Sequence, residues 1–152
     1  MRFLIQVVNE AKVEVEGKVT GEINKGMLVF IGVSDSDTTE ICDKMLKKML
    51  ALRIFEDENG KTNKSLADVN GGLLLVSQFT LYADVSHGNR PSFTSAGKPQ
   101  LANELYEYII SKAREQVEEV GTGVFGADMK VSLINNGPFT IYMDSDELFA
   151  GK

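Results

Sequence analysis

Alternating apolar and polar residues along the first third of the chain are typical of short β-strands. Over residues 12–16, Val13 and Val15 alternate with charged side chains, so one face of this segment is predicted to be buried. Residues 27–33 are apolar throughout apart from one glycine, as in a strand that is buried on both faces. We therefore predict strands over residues 3–8, 11–16, 19–23 and 27–33.

Two later segments have the apolar spacing of amphipathic helices. The first begins at the capping-box-like residues 37–40 and is expected to end near Leu52. The second begins at Pro99, a residue suited to the first turn of a helix, and is expected to end at Gly121.

The rest of the chain supplies further strands and one long loop. The loop covers residues 83–98, and strands are predicted over residues 53–55, 73–82, 124–134 and 139–143. Because strands do not alternate strictly with helices, a doubly wound fold is disfavoured. The predicted fold class is α+β, with a curved, mostly antiparallel sheet and two main helices in a single domain over residues 1–152.

The composition of the 152-residue chain narrows the classes of function. Its net charge of -6 argues against a broad nucleic-acid binder, which needs many cationic contacts to phosphates. Binding to a short single-stranded end stays open, because few phosphates have to be neutralised there. The chain has one cysteine, no long apolar segment and no signal peptide, so a reducing, cytoplasmic location is expected.

The residue types used in many active sites are scarce. His87 is the only histidine and has turn-like neighbours, so we interpret it as a surface residue and not as the base of a catalytic triad. Cys42 lies on the apolar side of a predicted helix and is interpreted as a buried structural thiol. A single histidine and a single cysteine rule out most zinc sites, so no metal site and no cofactor is predicted. Residues 121–126 have the spacing G-x-G-x-x-G, but they follow a helix and precede a strand, which is the reverse of a dinucleotide-binding segment.

The end of the strand at residues 77–80 is the main candidate for a site. If the strand edge is unpaired there, the main-chain N–H groups of Phe79 and Thr80 can form an oxyanion hole for acyl transfer. The alternative is an ordinary strand with a polar outer face. Gly137-Pro138 is a second candidate, because an X-Pro bond can be cis at a cost of about 0.5–1 kcal/mol. The alternative there is a plain turn between two strands.

Four motifs of the chain resemble segments of the D-aminoacyl-tRNA deacylase family and occur in the order typical of that family. They are Ser77-Gln78-Phe79-Thr80-Leu81, Arg90-Pro91-Ser92-Phe93, Gly123-Val124-Phe125-Gly126-Ala127-Asp128-Met129 and Asn135-Asn136-Gly137-Pro138-Phe139-Thr140. The resemblance extends along nearly the whole chain. It implies a homodimer of β-barrel-like α+β subunits that hydrolyses the ester between a D-amino acid and the 3′-terminal ribose of tRNA.

The resemblance also implies roles for individual residues. The catalytic pocket would be lined by Ser77, Gln78, Phe79 and Thr80. The Gly-cisPro motif, Gly137-Pro138, would reach across from the partner subunit as a chirality filter, and further substrate contacts would come from Phe93, Phe125 and Met129. The chain departs from the family pattern at Val7, where many members have an arginine that helps to fix the Gly-Pro motif.

An aminoacyl ester is already activated, so the expected mechanism needs little beyond oxyanion stabilisation, which is worth about 3–4 kcal/mol per donor in other hydrolases. The 2′-hydroxyl of the substrate is expected to help activate the water, with Thr80 in support, while a Thr80 nucleophile is the competing mechanism. A filter that works by exclusion predicts activity on many D-aminoacyl-tRNAs and on glycyl-tRNA. Two other interpretations stay open. One is a non-catalytic module that binds the tRNA end through the same pocket and the basic loop residues Arg90 and Lys98, and the other is a β domain that binds a small ligand without RNA.

Overall fold

Two hydrophobic layers organise the fold, one inside a curved sheet and one between that sheet and two helices. The computed structural model describes residues 1–150, and the last two residues of the predicted domain lie outside them. The strands are β1 (Arg2–Val15), β2 (Lys18–Ile23), β3 (Gly26–Gly32), β4 (Phe55–Glu56), β5 (Thr62–Lys64), β6 (Gly72–Ser77), β7 (Val120–Thr122) and β8 (Lys130–Asp144). The helices are α1 (Thr39–Ala51), α2 (Pro99–Arg114) and α3 (Ser145–Phe149), and Phe79–Tyr82 form a 3₁₀ turn.

The main sheet is mixed and nearly closes into a barrel. β1 pairs antiparallel with β2, β3 and β8, whereas β6 lies parallel to both β3 and β7. β2 comes close to β7 at the other end of the strand order, where the Thr20 hydroxyl donates to the carbonyl oxygen of Thr122 at 3.3 Å. The predicted α+β class and barrel-like curvature are confirmed, with parallel pairs added at β6.

The central strands β3 and β6 separate the two hydrophobic layers. On β3, Met27 and Ile31 face the helices while Leu28 faces the barrel interior. On β6, Leu73 faces the helices and Leu74 faces the interior. Two-sided burial explains why both strands are apolar at nearly every position, and it confirms the prediction for residues 27–33.

The two main helices cover the outer layer of the core. α1 begins after Thr38, whose hydroxyl accepts a hydrogen bond from the N–H of Ile41 at 3.3 Å. α2 begins at Pro99, as predicted, but ends at Arg114 and not at Gly121, because residues 120–122 form β7 beside β6. None of the helices within residues 1–150 is long and apolar enough to cross a membrane.

Several predicted strand boundaries were wrong because tertiary contacts decide them. The strand predicted over residues 73–82 ends at Ser77, where the N–H of Gln78 still donates to the carbonyl oxygen of Ile31 at 2.8 Å before the chain turns. The strand predicted from residue 124 begins at Lys130, since residues 123–129 form a loop. The two strands predicted over residues 3–8 and 11–16 form one strand that ends at Val15, because β8 pairs along both segments.

Candidate functional site

A cavity of about 840 Å³ opens beyond the carboxyl ends of the parallel strands β3 and β6. This is the usual position of a ligand site in a sheet with parallel strands, and the volume suits a small organic ligand. Its walls come from the ends of both strands, the start of α2, and two loops. The predicted site residues among its lining are Ser77, Gln78, Phe79, Phe93, Phe125 and Met129.

The 3₁₀ turn presents two main-chain donors at this cavity. Within residues 1–150, the N–H groups of Phe79 and Thr80 donate to no protein acceptor, because they open the turn and have no carbonyl before them in the helical pattern. β6 is an inner strand, so the free donors arise from the turn and not from the unpaired strand edge that we predicted. The side-chain amide of Gln78 donates to the hydroxyl of Thr80, which is exposed beside the cavity.

The carbonyl oxygen of Leu75 fixes the wall opposite the turn. It accepts a hydrogen bond from the N–H of Gly123 at 3.1 Å and another from the hydroxyl of Tyr106 at 2.7 Å. Burial raises the pKa of Tyr106 to about 12, so this hydroxyl stays a donor at neutral pH. The two bonds tie α2 and the loop that carries Phe125 and Met129 to the end of β6.

Two phenylalanine rings form the mouth of the cavity. Phe79 and Phe93 pack edge to face with their centroids 5.1 Å apart, although 55% of Phe79 and 40% of Phe93 is exposed. The loop that carries Phe93 is held where it enters α2, since the N–H of Lys98 donates to the carboxylate of Asp35 at 2.9 Å. Exposed aromatic rings at a cavity mouth offer a flat apolar surface to a ligand.

Among residues 1–150, the ionisable side chains that line the cavity are Asp35, Lys98 and Asp128. The carboxylate of Asp128 accepts a hydrogen bond from the ammonium group of Lys130 at 3.1 Å. His87 is exposed in its loop and does not belong to the lining, in agreement with its interpretation as a surface residue. Over the described residues 1–150, no three His, Cys, Asp or Glu side chains converge in the way that a metal ion requires.

The Gly137-Pro138 sequence lies outside this cavity, in a bulge of β8. Val8 pairs with Asn135 and Gln6 with Thr140, so residues 136–139 are all opposite the single residue Val7 of β1. We call residues 136–139 the β8 bulge. The Gly137–Pro138 peptide bond is cis, and Gly137 has a φ of 126°, a conformation that side-chain-bearing residues rarely adopt.

The structure thus brings together six of the nine predicted site residues around one cavity and places Thr80 beside it. It keeps Gly137 and Pro138 away from the cavity of their own chain. Asp35 was missed and Lys98 was expected only in the alternative non-catalytic module, because only the folded chain brings the segment after β3 against the start of α2. The close approach of these segments is made at Gly97, where a β-carbon would lie 3.1 Å from the carbonyl oxygen of Val33.

Comparison with known proteins places the chain among relatives of equal length. A family model described as D-Tyr-tRNA(Tyr) deacylase matches residues 4–144. The D-aminoacyl-tRNA deacylase of Clostridioides difficile is 51% identical over 149 residues, which cover 98% of this chain and 100% of that protein. The protein of the same name from Thermotoga petrophila is 52% identical over 149 residues, with the same coverage of 98% and 100%.

Solved structures show the same fold. The structure of a protein named c-Myc DNA Unwinding Element Binding Protein is 38% identical with a TM-score of 0.89, covering 95% of this chain and 98% of that one. A probable eukaryotic D-amino acid tRNA deacylase is 21% identical with a TM-score of 0.80, covering 93% and 97%, and shares the fold. From the matched residues and the identity over almost the full length, the chain belongs to the D-Tyr-tRNA(Tyr) deacylase family.

Proposed function

We propose that this protein is a D-aminoacyl-tRNA deacylase, a hydrolase that releases a free D-amino acid and tRNA from the ester that joins them. The observation that carries the proposal is the pair of unpaired N–H groups of Phe79 and Thr80 at the cavity, in a chain that belongs to this family. The substrate is the aminoacylated 3′ end of tRNA, and the cellular location that suits it is the cytoplasm.

The reaction is an attack of water on the ester carbonyl carbon. The carbonyl oxygen gains negative charge, and the N–H groups of Phe79 and Thr80 stabilise it. Loss of one such donor in other hydrolases slows the reaction by about 10²–10³-fold. The bond between the carbonyl carbon and the ribose oxygen then breaks, and the ribose oxygen takes up a proton.

Activation of the water is assigned to the 2′-hydroxyl of the substrate, with Thr80 in a supporting role. The hydroxyl of Thr80 already accepts a hydrogen bond from Gln78 and has no imidazole beside it. The wall carboxylates Asp35 and Asp128 each accept a hydrogen bond from a neighbouring residue, which suits a structural role. A trapped acyl adduct on Thr80, or a folded but inactive Thr80→Ala variant, would favour the nucleophile mechanism instead.

Chiral selection belongs to a homodimer in this proposal. The β8 bulge of one subunit reaches the cavity of its partner, where the carbonyl groups around Gly137 and Pro138 bind the amino group and leave no space for an L side chain. Three observations support this arrangement: Gly137 and Pro138 are exposed, β8 pairs only with β1 within residues 1–150, and Ile134 and Tyr142 on β8 are 50% and 48% exposed.

Exclusion of L side chains does not depend on the identity of the D side chain. The enzyme therefore acts on many D-aminoacyl-tRNAs and also on glycyl-tRNA, which has no side chain to exclude. Phe93, Phe125 and Met129 provide apolar contacts to the end of the tRNA from the cavity wall. The activity is thus a proofreading step that returns mischarged tRNA to use.

Matched D-tyrosyl-, L-tyrosyl- and glycyl-tRNA provide the direct test. We expect hydrolysis of the first and third in the presence of a chelator, and little hydrolysis of the second. Binding of the tRNA end without turnover would support a non-catalytic module instead. Equal rates on the D and L substrates would contradict the chirality filter.

The contribution of the Phe79 N–H group can be tested separately from that of the Phe79 ring. Phe79→Pro removes the ring and the N–H, while Phe79→Ala removes the ring and keeps the N–H. Gln78 has a φ of -145° and a ψ of 85°, which lies outside the helical region that a following proline disfavours. We expect the proline variant to turn over about 10²-fold or more slowly than the alanine variant, with equal thermal stability. Equal turnover numbers would remove this donor from the mechanism.

A mixing experiment tests the contribution of the partner. Phe79→Pro damages the cavity, and Gly137→Ala forces a side chain into a strained conformation in the β8 bulge. If the bulge acts across the dimer, heterodimers of these two impaired variants contain one intact site. Activity that appears on mixing supports the arrangement, and its absence in heterodimers verified by mass spectrometry contradicts it.

A further inference from the structure

The side chain of Asn135 closes the base of the β8 bulge. Its Oδ1 accepts a hydrogen bond from the N–H of Phe139 at 2.7 Å, and its Nδ2 donates to the carbonyl oxygen of the same residue at 3.4 Å. Nδ2 also lies 3.1 Å from the hydroxyl oxygen of Thr140. The amide thus pairs with the peptide groups of Phe139 much as a neighbouring strand would.

No other side chain within residues 1–150 bonds the main chain of the β8 bulge. The residue of β1 opposite the bulge is Val7, which is 5% exposed and offers neither a donor nor an acceptor from its side chain. The only further support is indirect, since the amide of Gln6 donates to the hydroxyl of Thr140 at 3.4 Å. The position of Gly137 and Pro138 relative to the sheet therefore depends on Asn135.

We propose that Asn135 is a positioning residue that sets the chiral selectivity of the enzyme. The inference deepens the proposed function and rests on it. D and L substrates differ only in which direction the side chain leaves the α-carbon, so a filter based on exclusion requires the bulge to hold a fixed position. When the Asn135 amide is removed, the bulge moves outward and admits the L side chain.

The expected signature is a change in selectivity and not a loss of activity. In Asn135→Ala, hydrolysis of L-tyrosyl-tRNA rises about tenfold relative to D-tyrosyl-tRNA, the scale of one lost hydrogen bond. The rate on the D substrate falls by less than about tenfold, because the N–H groups of Phe79 and Thr80 are untouched while the contacts of the bulge to the amino group weaken. A residue needed only for folding would lower both rates together.

Three further variants separate the contributions of the amide. Asn135→Asp keeps an acceptor for the N–H of Phe139 and loses both amide donors. Thr140→Val removes the second partner while the bond from Phe139 to Asn135 stays. Both are expected to raise the L-to-D ratio by about threefold, less than Asn135→Ala does. Asn9→Ala is the matched control, because Asn9 is exposed on β1, outside the bulge and the cavity, and its side chain makes no hydrogen bond within residues 1–150.

The outcomes distinguish a failure of the inference about Asn135 from a failure of the proposed function. A raised L-to-D ratio in Asn135→Ala and an unchanged ratio in Asn9→Ala support the inference. If wild type prefers the D substrate and Asn135→Ala has the same L-to-D ratio, the inference is overturned and the proposed function is not. Wild-type protein that hydrolyses neither substrate overturns the proposed function and the inference with it. If Asn135→Ala does not fold, the Asn135→Asp and Thr140→Val ratios decide by the same criterion.

Discussion

The guanidinium group of Arg2 donates a hydrogen bond to the carbonyl oxygen of Leu81 at 2.8 Å and so joins the first strand to the 3₁₀ turn. The same group donates from Nε to the carboxylate of Asp144 at 3.1 Å and lies over the ring of Tyr82, 4.3 Å from its centroid. The three contacts fix the end of the turn whose first two N–H groups are the proposed oxyanion donors. We therefore expect Arg2, which does not line the cavity, to hold these donors in place.

Replacing Arg2 by lysine is expected to lower kcat about tenfold and to leave KM within about twofold of wild type, because a single ammonium group cannot bond Leu81 and Asp144 together. Steady-state kinetics on D-tyrosyl-tRNA measure both constants. Arg53→Lys is the matched control, since Arg53 bonds Asn63 in the hairpin of β4 and β5, away from the cavity. A rise in KM with an unchanged kcat would show that Arg2 does not act through the turn.

The close approach of Gly26 and Gly72 at the start of β3 and β6 leaves no room for a side chain. A β-carbon on Gly26 would lie 1.9 Å from the carbonyl oxygen of Gly72, and main-chain atoms cannot give way as a flexible side chain does. We expect Gly26→Ala to lower the free energy of unfolding by about 3 kcal/mol or more. Urea titration at constant m-value measures this loss.

Gly60→Ala is the control for that prediction, because Gly60 has a φ of 75° and open space around it. Its substitution adds backbone strain without overlap and is expected to cost about 1 kcal/mol. Equal destabilisation by the two substitutions would mean that overlap at Gly72 is relieved by a small movement of the strands.

The thiol of Cys42 is expected to be unreactive in the native protein. Cys42 lies on the buried face of α1 and is only 1% exposed. Burial raises the pKa of its thiol to about 12, so almost no thiolate exists at neutral pH. A thiol reagent at pH 8 should modify it only in denaturant. A cysteine introduced at the exposed position Ser36 should react at once, and rapid labelling of native Cys42 would contradict the burial.

The stability of the fold at acid pH is expected to depend on Asp144. Burial alone would raise the pKa of this carboxyl, but hydrogen bonds from the N–H of Asp146 and from Arg2 outweigh it and hold the pKa below the ordinary value of 3.8. The stabilisation is therefore complete above about pH 4 and disappears as the pH falls through the lower, native pKa.

Asp144→Asn removes that dependence. We expect the variant to be less stable by about 1–2 kcal/mol at pH 7, the usual effect of losing hydrogen bonds to a charged group, and to show a flatter fall in stability below pH 4. Urea titrations at several pH values give both quantities. Identical acid profiles for the two proteins would show that other carboxylates control acid unfolding.

Local patterns in the sequence predicted the helices and the strands with buried faces, because those patterns report burial directly. The two-sided apolar pattern of residues 27–33 matches a strand between two layers of core, and Pro99 marks the first residue of α2. The 3₁₀ turn was predicted as strand because Phe79, Thr80 and Tyr82 have strand propensity. Its geometry comes from the contacts of Gln78 with Ile31 and of Leu81 with Arg2, which join distant parts of the chain.

The site was predictable to the extent that its motifs resemble a known family. Ser77 to Phe79, Phe93, Phe125 and Met129 do lie around one cavity, while their roles in catalysis and binding stay predictions. Arg2 and Asp35 had no comparable signal, and Lys98 was expected only as a basic loop residue, because each matters through a partner far away in sequence. Lys98, for example, bonds Asp35 through its main-chain N–H, which no side-chain pattern reveals.

The β8 bulge also restricts how the length of this segment can change. Val13 pairs with Val131 and Ile5 with Ile141, so a step of eight residues along β1 corresponds to a step of ten along β8. Val131 packs against the barrel-interior layer and Met143 belongs to the layer beneath the helices, so both ends of the segment depend on the phase of the pleat. Deleting one residue would turn Met143 to solvent and Tyr142 into the core, whereas deleting two would keep the pleat in phase. Relatives that shorten or lengthen this segment are therefore expected to do so in pairs of residues.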